Sequence, residues 1–132
     1  MVIRLGAARA ADFGAVLEDI RRVVAVAESS VVKVIIECCL FDDASKRRLA
    51  ELVAVSGADY VKTSTGFAAS GATVADVRLL AETVSARVKV KAAGGVRDWP
   101  TCLAMLEAGA SRIGTSAGVD IMRQWRESSG LS

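Results

Sequence analysis

The run Tyr60-Val61-Lys62-Thr63-Ser64-Thr65-Gly66-Phe67 decides how the rest of this chain is read. A short β-prone stretch carries a lysine, then passes at once into three hydroxyl residues and a glycine. With the period-2 alternation of a strand, Tyr60, Lys62 and Ser64 point to one face and Val61 to the other. Strands buried on both faces of a parallel sheet are normally apolar throughout, so an ammonium here requires a reason. A strand-end lysine is often a snorkelling side chain or an ion-pair partner. Lysine is also the residue whose pKa shifts most readily on burial, which makes Lys62 a candidate amine nucleophile. Val88-Lys89-Val90-Lys91-Ala92-Ala93-Gly94-Gly95 repeats the pattern: a β-prone run, a lysine, then small residues.

Working outward, strand-like and helix-like stretches alternate. Val2–Leu5 reads as a strand. Asp12 caps a helix that runs to about Ala27, with Phe13, Val16, Leu17, Ile20, Val23, Val24 and Ala27 on its apolar face. Val32–Glu37 is a β-branched strand, and a helix from Ala44 to about Val55 is stopped by Ser56-Gly57. Tyr60–Thr63 follows, then a Gly/Ser/Thr-rich loop, Ser64–Ala72. Thr73 caps a helix ending near Ser85. Val88–Ala92 is the next strand, Asp98 caps a helix with Pro100 in its first turn that continues to Ala108, Arg112–Gly114 is the last strand, and a helix runs from about Val119 to Arg126. Gly57-Ala58-Asp59-Tyr60-Val61-Lys62-Thr63-Ser64 is echoed by Gly109-Ala110-Ser111-Arg112-Ile113-Gly114-Thr115-Ser116, with Lys62 aligned to Gly114.

Strands alternating with helices give the fold class: α/β, parallel (β/α) units of a TIM barrel. Units begin at Val2, Val32, Tyr60, Val88 and Arg112, about five strands. A closed barrel takes eight strands and typically about 250 residues. The expectation is therefore an incomplete (β/α)8 barrel, with residues 1–126 as one partial domain and residues 127–132 as a disordered tail.

Composition narrows the function classes. At 132 residues with 52% hydrophobic and 24% charged content, the chain is globular and long enough for a real core. A net charge of +2 without a dense basic run argues against nucleic-acid binding. No apolar run of about 18 residues is present, which argues against a membrane span. The absence of histidine excludes Cys/His zinc patterns and His-dependent triads, and Cys38-Cys39 lacks metal-binding spacing, so no metal is expected. Three cysteines with no signal-peptide pattern fit a reducing, cytoplasmic setting.

Active sites of barrels and open α/β sheets form at the C-terminal ends of the strands. Three loops at those ends share one chemistry: Ser64-Thr65-Gly66, Gly94-Gly95-Val96-Arg97 and Gly114-Thr115-Ser116. Glycine lets a phosphate approach backbone N–H groups, hydroxyls add donors, and a following helix N-terminus supplies a favourable dipole. Lys91 should stand beside Lys62 on the next strand, roughly 5 Å away by strand spacing. A second ammonium and desolvation together lower an amine's proton affinity.

Val32-Lys33-Val34-Ile35-Ile36-Glu37, Val61-Lys62-Thr63-Ser64-Thr65-Gly66-Phe67, Val90-Lys91-Ala92-Ala93-Gly94-Gly95-Val96-Arg97 and Gly114-Thr115-Ser116, in this order over nearly the whole chain, resemble the deoxyribose-phosphate aldolases. The resemblance implies a class I aldolase that interconverts 2-deoxy-D-ribose 5-phosphate with acetaldehyde and glyceraldehyde 3-phosphate. It implies that Lys62 forms the imine while Lys91 depresses its pKa and assists proton transfer. Gly66, Gly94, Gly95, Val96, Arg97, Gly114 and Ser116 would surround the substrate phosphate. No metal or organic cofactor is implied, the partner is a small phosphorylated sugar or aldehyde, and a homo-oligomer is expected from the exposed sheet edge.

The family also carries a catalytic aspartate in a Val-Asp-Met-Val-Ile-type strand, which this chain matches from Met1 onward. Arg4 stands where the family usually has Asn, Lys89 where it usually has Gly, and Ala117 where it has a serine. Added cations on an inward face are costly unless paired or wet. The residues leave open a second class, a non-catalytic phosphate- or partner-binding half-barrel, and a third, another phosphosugar barrel such as an isomerase.

Overall fold

The computed structural model describes residues 1–130. Four strands, β1 (Lys33–Ile35), β2 (Tyr60–Lys62), β3 (Lys89–Ala93) and β4 (Ala110–Gly114), form one parallel sheet in sequence order. Six α-helices accompany them: α1 (Leu5–Arg9), α2 (Phe13–Ala27), α3 (Asp43–Ser56), α4 (Val74–Val84), α5 (Trp99–Glu107) and α6 (Gly118–Ser128). Each strand is followed by a helix, so the chain is a run of βα units, the arc of a barrel.

The expected first strand is reduced to one bridge between Val2 and Ile35, which Ile3 N and Met1 O complete through the Ile35 carbonyl and amide. Beyond Arg4 the chain turns into α1, whose Leu-Gly-Ala-Ala-Arg sequence has too few side chains to signal a helix by period. The last helix runs two residues further than expected, through Ser128. Of the predicted tail, Leu131 and Ser132 lie outside the described residues.

Local signals set the helix starts. The Asp12 carboxylate accepts from Ala15 N at 3.0 Å, Asp42 from Ser45 N at 2.8 Å, and Asp98 from Thr101 N at 2.8 Å, while the Thr73 hydroxyl accepts from Asp76 N at 3.0 Å. Gly57, at φ +94°, closes α3 in the left-handed region where a β-carbon would be strained.

Alternation in the short strands then divides the sheet into two unlike faces. Val34, Val61, Val90 and Ala92 are almost wholly buried on the helix side. There they meet Val16 and Ile20 of α2, Leu49 and Val53 of α3, and Val77 and Leu80 of α4 in one continuous core. Burying each of these larger aliphatic chains stabilises the fold by about 1.5–3 kcal/mol. The opposite face carries Lys33, Tyr60, Lys62, Lys89, Lys91 and Arg112, all half-buried or exposed. No helix of the described residues is long and apolar enough to cross a membrane.

Candidate active site

Strand register builds the site. Lys62, the last residue of β2, pairs with Lys91 of β3, which in turn pairs with Arg112 of β4. Adjacent parallel strands lie about 4.8 Å apart, so the two lysines leave neighbouring backbones at one level and on one face. Two residues earlier, Lys33, Tyr60 and Lys89 form the parallel row. Lys33 Nζ stands 5.7 Å and the Arg112 guanidinium 5.6 Å from the centre of the Tyr60 ring. The tyrosine therefore sits between two cations and offers each the negative face of its π-system.

Among the described residues, none of these five cations forms an ion pair with a carboxylate. The consequence falls on Lys91. Burial first, then the charges of Lys62, Lys33 and Arg112, push its pKa below the ordinary lysine value. A neutral amine at Lys91 is thus available at lower pH than a free lysine allows, which equips it to take up a proton.

Above the lysines the loops after β2, β3 and β4 enclose a cleft of about 450 Å³. Lys62, Gly66, Gly94, Gly95, Val96, Arg97, Gly114 and Ser116 all line it. Lys91 does not; it lies below, with its chain against Gly114. Gly94 has φ +89°, and a β-carbon on Gly71 would collide with the Gly94 carbonyl, so the returning loop seats directly on the end of β3. Ala72 N donates there to the carbonyls of Ala93 (3.1 Å) and Gly94 (3.0 Å). Arg97 and Ser116 are exposed at the rim, whereas the Val96 side chain is buried and its carbonyl accepts from Thr115 Oγ1 at 2.6 Å. The Gly95, Val96 and Arg97 amides donate to no group among the described residues. Together with Arg97 they give this rim the donors an oxyanion requires.

The hydroxyl run is used differently from the sequence expectation. Thr63 is fully buried, and its Oγ1 bridges the Ala93 amide (3.1 Å) and carbonyl (3.2 Å), stitching β2 to β3 beyond their last paired residues. Ser64 is also buried, and its Oγ has no partner among the described residues. Thr65 is held by Glu37, whose carboxylate accepts from Thr65 N at 3.2 Å and from Thr65 Oγ1 at 2.5 Å. Internal bonds therefore occupy Thr63 and Thr65, and the donors left facing the cleft are backbone groups, Arg97, the Ser116 hydroxyl and the Lys62 ammonium.

Glu37 is the site residue that sequence reasoning missed. It is 3% exposed and sits at φ +57°, a left-handed conformation that costs a non-glycine residue about 1–3 kcal/mol. Its bonds to Thr65 anchor the loop that directly follows Lys62. An acidic residue ending a strand was the only signal available. A larger hollow, about 670 Å³, lies on the outer side of α6 beside Val119 and Met122. It is open and mostly apolar, neither Lys62 nor Lys91 lines it, and we place no chemistry there.

The site is thus a pair of lysines under glycine-rich strand-end loops on a parallel βα arc. Residues 1–124 match the DeoC/LacD family of aldolases, and the chain belongs to that family. It is 59% identical over 127 residues to the deoxyribose-phosphate aldolase of Syntrophotalea carbinolica, covering 96% of this chain and 58% of the relative. A solved aldolase designated QR15 superposes with a TM-score of 0.92 at 38% identity, covering 98% of this chain and 59% of that one. The tetrameric deoxyribose phosphate aldolase of Aeropyrum pernix superposes with a TM-score of 0.81 at 36% identity, covering 86% and 50%. The chain thus spans little more than half the length of these relatives.

Proposed function

We propose that this chain carries the lysine half of a class I aldolase site. Its reaction is the reversible cleavage of 2-deoxy-D-ribose 5-phosphate to glyceraldehyde 3-phosphate and acetaldehyde. The observation that carries the reading is the pairing of Lys62, at the carboxyl end of β2, with Lys91 of the adjacent strand β3, beneath a cleft rimmed by free amides and Arg97.

In the synthetic direction, Lys91 as a neutral amine takes a proton from the Lys62 ammonium. Lys62 Nζ then adds to the acetaldehyde carbonyl carbon, and its N–H proton moves to the oxygen to give a carbinolamine. Lys91, now an ammonium, returns its proton to that hydroxyl, water leaves, and a protonated imine remains on Lys62. Neutral Lys91 next removes a proton from the methyl carbon, and the enamine attacks the aldehyde carbon of glyceraldehyde 3-phosphate. The phosphate is placed against Gly66, Gly94, Gly95, Val96, Arg97, Gly114 and Ser116. The sequence expectation put the depressed pKa on the nucleophile; the downward shift of Lys91 fits a base better than a fixed cation.

The test is borohydride reduction in the presence of acetaldehyde. A mass gain of one ethyl group, mapped to Lys62 and abolished by Lys62→Ala, is the expected result. No adduct near neutral pH would leave only a phosphate- or partner-binding half-barrel.

We also place the protein in the cytoplasm, where its free thiols Cys38, Cys39 and Cys102 would stay reduced, and assign it a homo-oligomeric state. Among the described residues the outer edge of β4 is unpaired, and beside it α6 exposes Val119 (86%) and Met122 (49%). Contact through the cationic sheet face would set like charges against each other, so the α6 flank is the better interface. Size-exclusion chromatography with light scattering should return a dimer or larger; a stable monomer contradicts this.

A further inference from the structure

We propose that Gly114 is a positioning residue: its missing side chain leaves the slot through which the Lys91 chain runs, and so sets where the Lys91 amine stands beside Lys62. The slot is a matter of geometry, while its consequence for catalysis rests on the lysine-imine reading above. A β-carbon built on Gly114 would stand 2.9 Å from Lys91 Cε, 3.5 Å from Lys91 Nζ and 3.0 Å from Ala93 Cβ. Gly114 is not among the glycines with positive φ, so its backbone would accept any residue. Space, not conformation, accounts for a glycine here.

Two further features lead to the same place. The ladder between β3 and β4 shifts register between Val90 and Lys91, so that Val90 pairs with Ala110 but Lys91 with Arg112 and Ala93 with Gly114. That shift brings Arg112 and Gly114 onto the Lys91 side of the sheet, where Ala93 and Gly114 form a floor with no side chain larger than a methyl. Strand side chains lean along the strand direction, and the Lys91 chain lies over this floor. The internal echo supplies the second feature: Gly114 occupies in its octapeptide the position that Lys62 holds in the other. A third long side chain at 114 would compete for the volume Lys91 now fills. A methyl there meets Ala93 Cβ, which its backbone fixes, and Lys91 Cε, which is free to swing. The lysine is what gives way, outward to solvent and away from Lys62.

The experiment compares the parent chain with Gly114→Ala and with Gly118→Ala, whose added methyl meets nothing within 4 Å. Each is labelled with limiting acetic anhydride across pH, the acetylation of Lys91 is followed by peptide mass spectrometry, and borohydride trapping with acetaldehyde is measured alongside. In Gly114→Ala the Lys91 titration should move up towards that of an exposed lysine, because both burial and proximity to Lys62 are lost. Trapping at Lys62 should fall about 10- to 100-fold, the scale of an ångström-level misplacement, and Gly118→Ala should match the parent. An unchanged Lys91 titration in a folded Gly114→Ala protein overturns the slot, whatever the trapping shows. A shifted titration in a protein whose parent form traps nothing keeps the slot and removes the aldolase reading. Should Gly114→Ala not fold, the parent decides: a nuclear Overhauser contact between the Lys91 ε-methylene and the Gly114 α-protons supports the slot, and its absence overturns it.

Discussion

Lys91→Leu is expected to slow borohydride trapping at Lys62 by about 100- to 10,000-fold near neutral pH, the range that a positioned general acid–base contributes. The same substitution should make the protein more stable at that pH. These opposite signs have one physical origin. A charge on Lys91 stands against burial and against Lys62, Lys33 and Arg112, which together lower its folded-state pKa. A lysine with a depressed folded pKa contributes its full stability only above the unfolded value and loses it as pH falls through the folded one. At neutral pH the charged side chain is therefore a net burden on the fold, and leucine relieves it.

The chemistry runs the other way. Trapping in the parent protein should rise with pH as Lys91 loses its proton, and the leucine variant should show its residual rate only at higher pH. Denaturant midpoints and trapping rates measured on the same samples check both halves. A variant that traps normally, or one that is destabilised at neutral pH, would show that the cationic cluster is not what sets the behaviour of Lys91.

The lysine pair could be read from sequence because parallel strands of similar length, followed by similar loops, leave little freedom in register. Lys62 and Lys91 each precede their glycines by a few residues, and the sheet aligned them. The caps Asp12, Thr73 and Asp98 were equally legible, since a side-chain oxygen bonding an amide three residues on is a local event. Val2–Leu5 was not: three apolar residues and an arginine fit a strand edge or the approach to a short helix, and only Ile35 across the sheet decides between them. Glu37 could not be assigned because its role depends on a left-handed turn in a non-glycine residue, followed by a bond to Thr65 far along the chain. The same holds for Thr63, whose partners belong to Ala93 on the next strand.

A contact of that long-range kind carries the second large effect: Asp76→Ala is expected to destabilise the fold by about 3–5 kcal/mol, the usual cost of leaving one member of a buried ion pair alone. Lys46 Nζ on α3 lies 2.7 Å from Asp76 Oδ1 on α4, with side-chain exposures of 13% and 9%. Both helices pack on the sheet, so the pair ties neighbouring βα units together. Burial alone would push the Lys46 pKa down, but hydrogen bonds and charge from Asp76 and Asp43 outweigh it and leave the pKa raised. A lysine raised in this way contributes fully below its unfolded pKa, and the contribution is lost only as pH climbs through the folded one. The Asp76→Ala deficit should therefore be complete at neutral pH and shrink in strong alkali.

Asp43, 3.0 Å from the same amine but 75% exposed, can retain part of the interaction and places the cost towards the lower end of the range. The nearby Cys38 thiol reports the change independently. Its pKa is pushed up to about 12 by burial and then by the Asp76 charge, with Lys46 opposing, so losing the carboxylate should lower it. Replacing both partners, Lys46→Met with Asp76→Leu, should recover most of the loss, because two apolar side chains leave no buried charge without a partner. Urea unfolding of the two single variants and the double variant closes the cycle. If the singles cost no more than an exposed pair, under about 1 kcal/mol, the contact between α3 and α4 rests on Leu49, Val53, Val77 and Leu80 alone.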